Sequence, residues 1–205
     1  MKDPFFHIIV EEAFSDLDSI FDELDLLKDS LLSPEHTGGS KSESGEIEKK
    51  NKGLFLDGCQ NYQNSKIVAN TNKLLTEIIN SKNWENHVFH RMFECTSWTG
   101  YLVSHYECGD YYLPHYDDGL FTLITFIFDD CENRVGGDLY FPEHDHLHKC
   151  KNNQSILFLS KEMHQVTTFE SKSNRYSIST FSHFQRPNKE PLNNKSLDLP
   201  KLIYN

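Results

Sequence analysis

The chain has 205 residues, 37% hydrophobic and 25% charged, the balance of one water-soluble globular domain with room for a real core. Its formal charge of -11 sets up a field that repels phosphate backbones, which argues against nucleic acid as a partner. The opening segment MKDPFFHIIVEEAF has too short an apolar run, and flanks too acidic, for a secretory leader. No stretch is long and apolar enough to cross a bilayer, so no membrane partner is expected. Five scattered cysteines, Cys59, Cys95, Cys108, Cys131 and Cys150, form no CxxC pair. They read as reduced structural thiols, and the chain as cytoplasmic.

In chain order, the first expected element is a helix within residues 14–32. Apolar Phe14, Leu17, Phe21, Leu24, Leu27 and Leu31 recur there in steps of three and four, with Ser15 as the cap. Residues 33–53, SPEHTGGSKSESGEIEKKNKG, hold Ser, Gly and charge without a periodic apolar set and are expected to form a mobile surface loop or flap. A second helical pattern occupies residues 63–81 through Ile67, Leu74, Leu75, Ile78 and Ile79. From about residue 97 the period changes to that of strands, in runs such as SWTGYLVSHYE, TLITFIF, GGDLYF, QSILFLS and RYSISTFSHF. Turn residues separate them, including Gly109–Asp110 and Gly136–Gly137. The tail from Pro187 is polar and is expected to be irregular. The expected layout is a single domain, 1–205, with a helical N-terminal support over 1–96, a β core over 97–186 and the tail 187–205. Its fold class is mainly β with flanking helices, as a sandwich, jelly roll or barrel.

The chemistry-bearing residues lie in the β core. His115 and Asp117 are two apart on extended backbone, so their side chains share a face. They are either half of a metal site or an ion pair. His164, just after the apolar run ILFLS, is a candidate third ligand. Two imidazoles and one carboxylate would leave open coordination positions, which suits Fe(II) better than a closed zinc site. The denser cluster EHDHLHK, with Glu143, His144, Asp145, His146 and His148, reads as solvated polar residues in a turn region. His87, His90 and His105 read as structural or surface residues. Arg175, at the start of a strand, either faces solvent or points inward and needs an anion. Ser177 shares its face and adds a hydroxyl.

Taken in order, YECGDYYLPHYDD, GGDLYF, ILFLSKEMHQVTTF and RYSIS resemble the Fe(II)- and 2-oxoglutarate-dependent oxygenases, in their prolyl-4-hydroxylase-like branch. The resemblance covers roughly residues 97–186 and implies a double-stranded β-helix, or jelly roll. It implies His115, Asp117 and His164 as iron ligands, and Arg175 with Ser177 and Tyr106 as the residues that grip the distal carboxylate of 2-oxoglutarate. The implied cofactors are Fe(II), 2-oxoglutarate as cosubstrate and O2, with ascorbate as an optional reductant. The implied reaction hydroxylates a C–H bond of a peptidyl prolyl, an amino acid or a small metabolite, with release of succinate and CO2. Where some peptidyl hydroxylases have a tyrosine after H-x-D, this chain has Phe126. Two other readings of the residues are a non-catalytic jelly-roll binding module and a cupin-type metalloenzyme without 2-oxoglutarate.

Overall fold

The computed structural model describes residues 5–37, 45, 47–129 and 134–185. In chain order the elements are β1 (His7–Val10), α1 (Leu17–Leu27), β2 (Lys52–Phe55), α2 (Lys66–Ile79), α3 (Val88–Glu94), β3 (Trp98–Tyr106), β4 (Tyr112–His115) and β5 (Phe121–Phe128). They continue with β6 (Leu139–Phe141), β7 (His146–His148), β8 (Gln154–Leu159), β9 (His164–Val166) and β10 (Arg175–His183). The strands form two antiparallel sheets, a large one in the order β1-β8-β5-β10-β3-β2 and a small one in the order β4-β9-β6-β7. Two such sheets, formed by strands far apart in sequence, make the expected jelly roll.

The large sheet is buried on both faces, and β5 shows why its sequence reads as an unbroken apolar run. Phe121, Leu123 and Ile127 belong to the core shared with the helices, beside Ile20, Leu24, Leu27, Ile67, Leu74 and Ile78. Ile124, Phe126 and Phe128 point the other way, into a second core with Phe141 and Val166 of the small sheet, Phe158 of β8 and Phe169. Period-two alternation thus persists although both faces are apolar. The helices cover one face of the large sheet, and the small sheet closes over the other.

Both long helices lie where the apolar spacing put them, with shorter bounds. The cap of α1 is Asp16, not Ser15: its carboxylate accepts from Ser19 N at 3.2 Å, while Ser15 is exposed. A tight turn over Lys28–Ser30 follows α1 and leaves Leu31 outside it. Ser65 caps α2 by accepting from Val68 N at 3.1 Å, and Tyr62–Asn64 form a separate turn. Glu23 of α1 is buried and accepts from Ile67 N at 2.9 Å, which joins the two helices. The short α3, with His90 and Phe93 buried, has too few turns to show a period and went unread.

The N-terminal half is more than a helical support, because it supplies both edges of the large sheet. β1 pairs with β8, from His7 opposite Phe158 to Val10 opposite Ser155. β2 pairs with β3, with Leu54 opposite Val103. A clasp reinforces the β1 side: the Asn153 side chain bonds both N and O of Phe14 at 2.8 Å. Four-residue strands give too little alternation to be legible. Residues 38–44 and 46, within the expected loop 33–53, lie outside the described residues, as do 186–205 with all of the expected tail. The ends of that loop are bonded. Leu32 and Gly53 exchange backbone hydrogen bonds at 2.9 Å, and Leu113 N donates to Glu48 O at 2.8 Å.

The cap assignment has a measurable consequence. Asp16→Ala should lower stability by about 1 kcal/mol and Ser15→Ala by less than about 0.5 kcal/mol in urea unfolding. Equal losses for the two variants would contradict the assignment.

Candidate active site

β4 and β9 pair with His115 directly opposite His164, so both imidazoles stand on the same face of the small sheet. Asp117 follows two residues after His115, its backbone held by donation from Asp117 N to Ser160 O at 2.9 Å. His115 Nε2 lies 3.7 Å from Asp117 Oδ1, and His164 Nε2 lies 3.3 Å from Asp117 Oδ2. One ligand atom from each of the three residues falls within 4.8 Å of the others, and they are the one group among the described residues that could hold a metal ion.

The surroundings fix how the ligands point. His115 Nδ1 bonds Leu113 O at 2.8 Å, and His164 Nδ1 bonds Glu162 O at 2.9 Å. A carbonyl can only accept, so each Nδ1 carries the proton and each Nε2 presents its lone pair to the centre. Thr122 Oγ1 donates to Asp117 Oδ2 at 2.8 Å and stands 2.9 Å from Ser160 Oγ, which completes a buried hydroxyl chain behind the carboxylate. Burial pushes the His115 imidazole down to about 4, helped by the nearby His164. Burial opposes charge on both partners of the His164–Asp117 pair, yet their mutual attraction wins, so His164 titrates above and Asp117 below its usual range. The donor set fits a divalent ion with open positions: two imidazole nitrogens, one carboxylate and no fourth protein ligand in the group.

The histidines of the rival cluster are not gathered together. His144 bonds Glu162 Oε2 at 2.7 Å and stacks on Phe5. His148 bonds Gln154 Oε1 at 2.8 Å and is buried, so it is not the solvated turn residue that the sequence suggested. β7 itself is the reason, since it pairs with β6 and turns His148 inward opposite Leu139. His87, His90 and His105 hold local structure. His90 bonds Ile79 O, His105 bonds Asn174, and His87 accepts from Phe89 N at the start of α3.

Arg175 points inward and is fully buried, at 0% exposure. Its Nε donates to Gly137 O at 2.9 Å, while Nη1 and Nη2 have no hydrogen-bond partner. Aromatic rings surround the guanidinium, with Tyr106 at 4.3 Å, Phe126 at 5.8 Å and Phe128 at 5.9 Å. Tyr106 lies opposite Arg175 on β3, and Ser177 lies opposite Ser104, two residues along on the same face. Burial raises the Tyr106 hydroxyl, while Arg175 and Ser177 pull it back. Among the described residues no carboxylate pairs with Arg175, and Glu170 is exposed. An unpaired buried guanidinium is costly, so this pocket calls for an anion. The diglycine is what admits it. A Cβ on Gly136 would stand 1.8 Å from Thr168 O, and one on Gly137 would stand 2.9 Å from both Arg175 Cδ and Phe169. Both glycines have positive φ, at +70° and +68°.

Three nearby residues escaped sequence reading. Thr122 was one hydroxyl in an apolar strand. The Tyr112 ring stacks on His115, with centroids 3.5 Å apart and planes 11° apart. Burial raises its hydroxyl, and the charges of Asp117 and Tyr106 raise it further. Lys49 is buried, and burial lowers its ammonium to about 8 against the opposing pull of Asp117. Its run, EIEKKNKG, carries only the signal of a solvated charged loop.

Residues 101–183 match the sequence model of the family described as the 2OG-Fe(II) oxygenase superfamily. No curated protein sequence is significantly similar to the chain. Solved structures share its fold at low identity. A viral collagen prolyl hydroxylase from Paramecium Bursaria Chlorella virus-1, in complex with 2OG, is 18% identical, with 87% of this chain and 96% of that one covered and a TM-score of 0.57. A Pseudomonas putida prolyl-4-hydroxylase is 16% identical, with 88% and 93% covered and a TM-score of 0.62. A prolyl hydroxylase from Trichoplax adhaerens, in complex with a hypoxia inducible factor peptide fragment, is 15% identical, with 86% and 83% covered and a TM-score of 0.61. Over its β core, residues 101–183, the chain is thus similar to the 2OG-Fe(II) oxygenase superfamily, enzymes that use Fe(II), 2-oxoglutarate and O2, and its fold is that of the solved prolyl hydroxylases.

Proposed function

We propose that the chain hydroxylates a C–H bond of a peptide, amino acid or small metabolite, with release of succinate and CO2. His115, Asp117 and His164 hold the iron, and Arg175, Ser177 and Tyr106 hold 2-oxoglutarate. The observation that carries the reading is the Arg175 guanidinium, buried with two unpartnered Nη atoms on the same side of the large sheet as the ligand triad. A jelly-roll binding module, or a metalloenzyme with no cosubstrate, gives that guanidinium nothing to bind. A dicarboxylate does, because one end is free when the other is at the metal.

With Fe(II) and 2-oxoglutarate bound, O2 is split, one oxygen atom entering succinate as CO2 leaves and the other entering the substrate C–H bond. The residues of the chain do the holding. His115 and His164 turn Nε2 toward the centre because each Nδ1–H is committed to a backbone carbonyl. Thr122 orients Asp117, so the carboxylate cannot swing away from the imidazoles. Arg175 offers two parallel N–H donors, a fork that matches a carboxylate. Phe126, with no hydroxyl, leaves the polar contacts at that end to Arg175, Ser177 and Tyr106. Phe126, Phe128, Phe141, Phe158 and Phe169 keep water from the pocket, which strengthens every charge interaction inside it.

Two outcomes test the assignment. His164→Ala and Asp117→Ala should abolish stoichiometric Fe(II) binding, measured by metal analysis after desalting. His144→Ala and His146→Ala should keep metal content near that of the wild type, and loss of iron there without misfolding would move the site to the other cluster. Arg175→Ala should retain Fe(II) yet raise the 2-oxoglutarate concentration needed for half-maximal succinate release roughly 30- to 700-fold, the equivalent of about 2–4 kcal/mol. Arg175→Lys should recover only part of this, because it lacks the fork. A wild-type response from Arg175→Ala would contradict the anion site.

A further inference from the structure

The backbone of residues 48–50 runs antiparallel beside β4. Lys50 N donates to Tyr111 O at 3.1 Å, Leu113 N donates to Glu48 O at 2.8 Å, and Lys49 sits opposite Tyr112. Residues directly opposite one another on antiparallel backbone share a face, and sequence neighbours take opposite faces. Lys50 is therefore outside, exposed, with its Nζ over the Tyr111 ring. Lys49 turns inward beside Tyr112 and is only 3% exposed. Its Nζ lies 5.2 Å from the centroid of Tyr112, the ring that stacks on His115. Its charge acts on both Asp117 and His115. Among the described residues its side chain makes no hydrogen bond or ion pair, and its Nζ faces the Tyr112 ring.

An inward charge at a sheet edge can serve simply to block further strand pairing. That role does not require burial beside the metal ligands, where a second cation is costly. The formal charges of the site close without Lys49. The dication and Arg175 together balance Asp117 and the two carboxylates of 2-oxoglutarate. Lys49 is then a surplus positive charge buried beside the candidate ligands. A neutral dipole recovers little of the cost of desolvating an ammonium, whereas a carboxylate recovers far more through a charge-assisted hydrogen bond.

We propose that Lys49 binds a carboxylate of the molecule that is hydroxylated, so that the substrates of this enzyme carry a carboxylate near the C–H bond attacked. The proposal rests on the oxygenase reading above. The carboxylate belongs either to a free amino acid or to an acidic residue of a peptide, and the chemistry at Lys49 is the same for both.

The test is binding to the full chain loaded with Mn(II) and 2-oxoglutarate without O2, followed by calorimetry. One probe set is the free L-amino acids beside their C-terminal amides. The other is short peptides containing Asp or Glu beside the same peptides with Asn or Gln. In at least one set the acid should bind roughly 10- to 100-fold more tightly than the amide, and the set that responds identifies the source. Lys49→Met should remove the ratio and Lys49→Arg should keep most of it. Equal binding of acid and amide overturns the proposal, as does failure of every acid to bind, or an acid preference that survives in Lys49→Met. A Lys49→Met variant that loses only affinity for 2-oxoglutarate assigns the residue to the cosubstrate and overturns it equally. If Lys49→Met does not fold, Lys49→Gln and the wild-type ratio decide. A wild type that never consumes 2-oxoglutarate would sink the oxygenase reading while leaving this binding ratio readable.

Discussion

The site depends on one register, that of His115 opposite His164 across β4 and β9. Side chains alternate with a period of two, so a slip of one residue would turn one imidazole to the outer face. Neither strand is long enough to enforce this alone, since β9 has three residues and β4 four. Tertiary contacts supply the rest. Tyr112 is clamped by the His115 ring on β4 itself and by the backbone of residues 48–50 on the open side of that strand. Phe141 from the neighbouring strand β6 and Phe158 from β8 of the large sheet pack on His164. The Ser160 carbonyl then holds Asp117 where β4 ends. The three candidate ligands are therefore placed by the aromatic core as much as by their own strands.

The same core accommodates Arg175, and the two demands meet at Gly136–Gly137. The turn must pass close enough to Thr168 and Phe169 to close the small sheet, and it must give Arg175 Nε a carbonyl. Only a chain without Cβ atoms does both. The Asp138 carboxylate that follows is braced by Arg134 at 2.8 Å and Lys149 at 2.7 Å, and it accepts from Cys150 N at 3.1 Å, which anchors the turn from outside. A motif that looks like a signature for the cofactor is thus a packing device that leaves the guanidinium its free end.

The sequence was legible where periodicity was long or a motif was ordered. Both main helices and the apolar strands of the core stand where spacing placed them, and the ordered H-x-D…H motif of the resemblance brings His115, Asp117 and His164 together. What stayed hidden had no local signal. β1 and β2 are four residues each and are strands only because β8 and β3 offer them partners. Lys49 sits in a charged run like any solvated loop, and the backbone ladder to β4 alone turns it inward. His148 looked solvated for the same reason, because its burial comes from β6 and Gln154 and not from its neighbours in sequence.

The two sheet edges carry a consequence for how the chain comes into being. β1 is made well before its partner β8, which begins at Gln154, and the Asn153 clasp on Phe14 joins residues 139 apart. β1 must therefore wait, unpaired, until most of the chain has emerged from the ribosome. Contacts of this span make closure slow, since loop entropy is lost before they form. In that interval the apolar strands β5 and β8 and the segment FFHIIV present open edges, the condition in which chains of this size associate with one another. The arrangement that seals the finished enzyme thus makes its birth the vulnerable stage, and low temperature or a chaperone during synthesis should govern how much of it reaches the folded state.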